Sequence, residues 1–199
     1  MPSLSLFPTQ KGAWYEDLIK CWQSMPKNGG SAPLKTQFSP SKIRRLMPHL
    51  FLLELSSKKA INVRLMGSAV EGVLDQTASR DTVFNTLLSK DWRFYDRFMK
   101  ACGGASCAGR FSRSVERLDG ITVKVDSLGV PLADKNGTPR YTLGVIVTQP
   151  SSADQPITIR PVEASTPKSS HEFIDLGNGV PCYKALAEKE EAGFLRITN

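Results

Sequence analysis

The chain has 199 residues, 26 Lys and Arg against 19 Asp and Glu, and a net charge of +7. Its hydrophobic and charged fractions, 40% and 23%, sit near globular norms and exclude a wholly disordered chain. No apolar run approaches the roughly 20 residues of a membrane-spanning helix, and Met1-Pro2-Ser3-Leu4 lacks the basic and apolar regions of a signal peptide, so a cytoplasmic protein without a membrane partner is expected.

The first predicted element is a helix from about Gly12 to Met25. Trp14, Leu18, Cys21, Trp22 and Met25 recur at helical spacing and form one apolar stripe. Glu16 and Lys20 form an i,i+4 pair on another face, and Pro26 with Asn28-Gly29-Gly30 stops the helix. The stripe can pack back onto the rest of the domain or onto the same helix of a second copy. Trp14, Leu18 and Trp22 are therefore the candidate interface, with a homodimer as the expected assembly. Residues 29–38 read as a linker. Ser39-Pro40 reads as a cap and first-turn proline for a short helix that Pro48 ends.

A strand over His49–Leu55, a turn at Ser56–Lys59 and a strand over Ala60–Met66 make a hairpin. Gly67 breaks the second strand, and Ser68 can cap a short helix through Leu74. Helical spacing returns at Val83, Phe84, Leu87 and Leu88, and again over Asp91–Cys102, where Gly103-Gly104 is the expected stop. Three longer strands follow, over about Ala105–Leu118, Ile121–Leu132 and Arg140–Thr148, with turns at Asp119-Gly120 and Asp134–Gly137. Consecutive strands joined by hairpin turns pair antiparallel. The expected organisation is an N-terminal helix and linker (1–38), a domain (39–149) and a Pro/Ser/Thr-rich tail (150–199) with a short strand at Ile157–Arg160 and a short helix at Tyr183–Ala192.

Charge and chemistry narrow the function. Residues 1–149 carry 21 basic and 12 acidic side chains, a net +9, whereas 150–199 carry 5 and 7, a net −2. A basic body fits an anionic or acidic partner. Nucleic acid is disfavoured, because the arginine-rich strand with Arg110, Arg113 and Arg117 lacks both aromatic interleaving and a helix-turn-helix pattern. Cys21, Cys102, Cys107 and Cys182 form no CxxC pair, and His49 and His171 stand far in sequence from the closest approach, Cys102 and Cys107, so no metal site is expected. No Ser/His/Asp order, paired-carboxylate motif or phosphate-binding glycine loop appears, so no catalytic residue is assigned and an enzyme is not expected.

The order ββ-helices-βββ, together with Phe38-x-Pro40-x-x-Ile43, Leu46-Met47-Pro48-His49-Leu50-Phe51, Glu54 and Val63-Arg64-Leu65-Met66-Gly67-Ser68, resembles a bacterial family of PAS-like domains that carries its own N-terminal helix. The resemblance covers about two thirds of the chain. It implies an α+β fold: a five-stranded antiparallel sheet with short helices between strands 2 and 3, plus the N-terminal amphipathic helix. It also implies a sensory or regulatory role, here a stand-alone domain acting by contact with a separate signalling protein such as a kinase or regulator. The competing reading is a small-molecule sensor. Its cavity would be lined by Phe84, Leu87, Phe98, Val123, Tyr141, Leu143 and Val145, with Arg64 as an anion-recognising group or as the cross-strand partner of Glu54. The cofactor is left unknown. Haem is disfavoured because neither His lies on the helices that would cover the cavity, and flavin because no light-sensing motif surrounds Cys102 or Cys107.

Overall fold

In the computed structural model the described residues are 10–27, 29–55, 61–74, 92–116, 122–148 and 170–181. The strand segments pair into one six-stranded antiparallel sheet. Its strands are β1 (Leu50–Leu55), β2 (Ile61–Met66), β3 (Ala108–Glu116), β4 (Thr122–Ala133), β5 (Pro139–Thr148) and β6 (Ser170–Ile174), in the order β2-β1-β5-β4-β3-β6. The sheet therefore has six strands where five were expected. The sixth comes from the segment read as a tail and pairs with the free edge of β3, Ala108 opposite Ile174 and Ser112 opposite Ser170. An uncovered edge is a row of unpaired N–H and C=O groups, and β6 satisfies one side of it. The strand expected at 157–160, the helix expected at 183–192 and the helical segment around Val83–Leu88 lie outside the described residues.

Three helices, a single 3₁₀ turn (Lys35–Gln37) and a longer 3₁₀ segment complete the described chain. α1 (Gln10–Gln23) begins and ends about two residues earlier than its stripe implied. Lys20 and Glu16 make the expected pair at 3.5 Å, and the lysine is 71% exposed, so the pair adds little stability. The 29–38 segment is pinned rather than free: Ala133 N–H donates to the Pro33 carbonyl at 2.8 Å, and Ala32 and Pro33 are buried. Pro40–His49 is 3₁₀ rather than α-helical, with a kink at Ile43 and Pro48 inside it rather than at its end. The Ser39 hydroxyl forms no cap and bonds the Ser41 hydroxyl at 2.8 Å instead. α2 (Ser68–Leu74) follows β2. At the β2–α2 junction Gly67 N–H donates to the Leu50 carbonyl at 2.8 Å. A Cβ on Gly67 would sit 2.2 Å from the Met47 carbonyl oxygen, so only glycine lets β2 close against the end of the 3₁₀ segment.

α3 (Trp92–Ala105) runs three residues past its expected last residue, Cys102, straight through Gly103-Gly104. The residue that ends it is Ser106, the one non-glycine described residue with positive φ, at 51°. Ser106 N–H bonds the Gly103 carbonyl at 3.2 Å and Cys107 N–H bonds the Cys102 carbonyl at 3.1 Å. These are the two bonds of a Schellman cap, here with serine in the left-handed position glycine usually takes.

The sheet separates two apolar layers. On one face Leu50, Leu52, Leu128, Val130, Leu132, Leu143, Val145 and Val147 join Tyr15, Leu18, Ile19, Trp22 and Met25 in a single core cluster, so α1 covers this face. On the other face Phe51, Leu53, Ile61 and Val63 cluster with Met99 of α3, and Phe98 clusters with Cys102 and Cys107. Adjacent residues of β1 thus divide between the layers, as the two-residue period of a strand requires.

Candidate functional site

Of the eight residues expected to line a cavity, those whose side chains are described fall on both faces of the sheet. Tyr141, Leu143 and Val145 share one face of β5, as their alternation implied, but it is the face under α1. Leu143 and Val145 are fully buried there against the chain's own core. Phe98 lies on the opposite face, on α3. Period-two spacing tells which residues share a face and is silent on which face is which, and that is why the set straddles the sheet. Val123 lies in β4 opposite Val115 in backbone register, and its side chain is outside the described set. Phe84 and Leu87 lie outside the described residues.

The face covered by α3 carries a feature that single-strand patterns do not reveal. Register places Phe173, Gly109, Gly129, Gly144, Phe51 and Met66 side by side across all six strands. Three adjacent strands therefore put a glycine at the same level, and aromatic side chains occupy the space. A Cβ on Gly144 would lie 2.1 Å from Phe51 Cζ, and one on Gly109 would lie 2.6 Å from both Phe98 Cε1 and Cys102 Sγ. Thr142 Cγ2 leans over Gly129 in the same way, at 2.6 Å. Phe98 in turn stacks on Phe173 of β6 with centroids 5.0 Å apart and meets the His171 ring edge-on at 5.9 Å. The described side chains on this face thus fill the trough that the glycines open.

Arg64 takes the cross-strand role. Its Nε lies 2.5 Å from Glu54 Oε2, and Arg140 approaches the other carboxylate oxygen at 3.8 Å. Arg140 also reaches Asp134 at 3.9 Å and donates from Nε to the Leu55 carbonyl at 3.4 Å. The Glu54 side chain is 11% exposed, so two guanidinium groups compensate a nearly buried carboxylate. Burial and the Glu54 carboxylate push the Tyr141 phenol up, and Lys35 sits over the Tyr141 ring at 5.1 Å. Both arginines are committed to this network, which ties β1, β2 and β5 at one end of the sheet.

Two of the three interface candidates are interior. Leu18 and Trp22 are fully buried, and Trp22 Nε1 donates to the Pro131 carbonyl at 2.6 Å. A contact between copies through all three residues would require unpacking α1 from the sheet. Trp14 alone stays at the surface, half-buried against His49 with ring centroids 4.5 Å apart. Leu18, Cys21, Trp22 and Met25 of the expected stripe do face inward, and Tyr15 and Ile19, which the expected stripe lacks, join them there at helical spacing. Burial beside Asp126 pushes the Tyr15 phenol above its ordinary range, with Arg110 opposing. Arg110 points under α1, 5.9 Å from the Tyr15 ring and 3.7 Å from Glu172 of β6. It therefore serves the sheet edge rather than an open basic strip, while the side chain of Arg113, and Arg117 altogether, lie outside the described set.

The exposed basic groups lie elsewhere, on the 3₁₀ segment: Lys42, Arg44 and Arg45 all face solvent beside α1, with Arg45 paired to Asp17. Among the described residues no three His, Cys, Asp or Glu side chains gather closely enough to hold a metal ion. None of the described helices is long and apolar enough to cross a membrane.

A family model described as a PAS domain matches residues 11–147. Among solved structures, the PAS domain of a protein from Colwellia psychrerythraea aligns at 12% identity over 55% of this chain and 95% of that chain, with a TM-score of 0.41. No curated protein matches the chain.

Proposed function

Because this chain belongs to the PAS domain family, whose members are in general sensory and regulatory domains, we propose that it is a regulatory module of bacterial signal transduction that works by contact with a separate signalling protein. The observation that favours contact over a small-molecule ligand is the filled trough: Phe51 lies over Gly144, and Phe98 with Cys102 over Gly109. The contact surface is the exposed basic face of the 3₁₀ segment, Lys42 and Arg44, continued by the ring of Trp14. Its complement is an acidic patch on a kinase or response regulator, and no catalytic step is assigned to the module itself. Opposite charges steer such encounters and make them sensitive to salt.

The test is quantitative co-purification from the native host, comparing the wild-type chain with Lys42→Glu/Arg44→Glu. A signalling protein retained by the wild type and lost from the variant, with the loss reproduced by raising salt, supports the reading. Equal recovery with both chains contradicts the assigned surface. A stoichiometric organic molecule carried by the purified chain would favour the ligand-sensing reading instead.

A further inference from the structure

Cys102 and Cys107 stand five residues apart, where α3 ends and β3 is about to begin. The Schellman cap brings them together. In that motif the third-last helical residue and the residue two beyond the cap make the 6→1 backbone bond, and their side chains commonly touch. Here those positions are Cys102 and Cys107, joined by the 3.1 Å bond from Cys107 N–H to the Cys102 carbonyl. The two thiols pack in one buried cluster with Phe98, and both are free of any disulfide.

The surroundings distinguish the two sulfurs. The Cys102 thiol donates a hydrogen bond to the Cys107 sulfur, which holds the Cys107 thiol below its ordinary range despite burial and the neighbouring Asp175 carboxylate. The same bond, with burial, pushes the Cys102 thiol well up. This division of labour suits an attacking thiolate and a resolving thiol. Cys21, by contrast, is a buried thiol pushed up by desolvation.

The pair sits under the β6 end of the sheet. Phe173 packs against its cluster, and Asn178 Nδ2 donates to the Ser106 carbonyl at 3.5 Å. Cys102 is 5% exposed and Cys107 0%, so both sulfurs are closed to bulky reagents.

We propose that Cys102 and Cys107 form a redox modification site, a dithiol that a small hydroperoxide such as hydrogen peroxide closes to an intramolecular disulfide. The Cys107 thiolate attacks one peroxide oxygen. An S–O bond forms, the O–O bond breaks, and the departing hydroxide takes a proton and leaves as water. The Cys102 sulfur then attacks the Cys107 sulfenic sulfur. The S–S bond forms, the S–O bond breaks, and the hydroxyl leaves as a second water with the Cys102 proton. Two thiols lose two electrons and two protons, and one peroxide is reduced to two waters. A dithiol reductant reverses the change.

The sequence supplies a clean readout. Cleavage after Lys100 and Arg110 releases the peptide Ala101–Arg110, which contains both cysteines and neither Cys21 nor Cys182. The folded full chain is treated with hydrogen peroxide, free thiols are blocked with an alkylating reagent in denaturant, and tryptic peptides are weighed. The expected product is the Ala101–Arg110 peptide unalkylated and two hydrogens lighter, returned to the doubly alkylated form by prior treatment with dithiothreitol. In Cys102→Ser, Cys107 accumulates a sulfenic acid that a dimedone probe traps once denaturant has opened the chain. The proposal is overturned if the wild-type peptide stays doubly alkylated while Cys21 or Cys182 is oxidised. It is equally overturned if both sulfurs advance to sulfinic acids without an S–S bond. The wild-type peptide decides the matter even if the serine variant does not fold.

Discussion

Gly144→Ala tests the glycine trough, because two effects of known sign oppose each other there. The added methyl lowers the entropy of the unfolded chain, which stabilises by about 0.4–1 kcal/mol where the native conformation tolerates it. Its burial adds about 0.8 kcal/mol. Against this, the new Cβ would fall 2.1 Å from Phe51 Cζ, 2.6 Å from Phe51 Cε1 and 2.7 Å from the Leu128 carbonyl oxygen. The ring can shift at some cost, but the Leu128 oxygen belongs to the neighbouring strand and cannot rotate away. Overpacking of this kind typically costs about 1–3 kcal/mol after relaxation, and with a backbone atom involved the upper end governs. After the two stabilising effects are subtracted from an overpacking cost near about 3 kcal/mol, the expected net loss is about 1–2 kcal/mol, or a fall of roughly 2–8 °C in Tm at about 2–4 °C per kcal/mol. Gly104→Ala is the internal control: nothing lies within 4 Å of its Cβ and it sits in the last turn of α3. There the same substitution should stabilise by about 0.5–1 kcal/mol through helix propensity alone. Urea unfolding of both variants gives the comparison. Shortening the ring in Phe51→Leu should recover part of the Gly144→Ala loss, with a coupling of about 0.5–3 kcal/mol. A Gly144→Ala protein as stable as the wild type would refute the claim that Phe51 lies over that strand.

Other expectations follow from single contacts. Trp22→Phe keeps most of the ring but removes the donor to the Pro131 carbonyl; it should cost about 1–3 kcal/mol against about 3–5 for Trp22→Ala, both read from denaturant midpoints. Glu54→Gln leaves Arg64 and Arg140 without their shared carboxylate and should destabilise more than Arg64→Gln, after which Arg140 still faces Glu54. Equal losses in urea unfolding would mean that the network is not centred on Glu54. Burial lowers the pKa of both His171 and His49. Between each lowered folded value and the unfolded value of about 6.5, the unfolded chain binds more protons, so stability rises with pH through that window. Stability should be full above about pH 6.5 and decline as pH falls below it, and His171→Phe should flatten the slope measured by urea unfolding at pH 7.5 and 5.5. A slope unchanged in that variant would show that His171 is not the group responsible.

Much of the fold was legible because its signals are local. A short apolar run marks β1, alternating apolar residues mark β2, β4 and β5, and Asp134–Gly137 forms the turn its residues imply: Asp134 Oδ1 accepts from Asn136 and Thr138 N–H, and Gly137 takes a φ of 80°. The cross-strand pairing of Arg64 with Glu54 was legible for the same reason. What remained hidden depends on partners distant in sequence. Ser170–Ile174 is five residues in a polar, proline-rich stretch, and it becomes a strand because β3 offers it an open edge. The alignment of Gly109, Gly129 and Gly144 appears only once register is set. The end of α3 was misplaced because glycine pairs usually stop helices. Here Gly103 packs against Pro139 at 3.0 Å from its Cβ position, and the left-handed turn passes to Ser106. The described cavity candidates divide between the two faces because alternation fixes a set and not a side.

Native mass spectrometry of the purified full chain tests the central claim most directly. A module that acts by contact, with Phe51 and Phe98 filling the trough over the glycine row, should fly at the mass of the polypeptide or its whole multiples, with no bound organic molecule. A small molecule retained in one-to-one stoichiometry, and lost on denaturation, would contradict it.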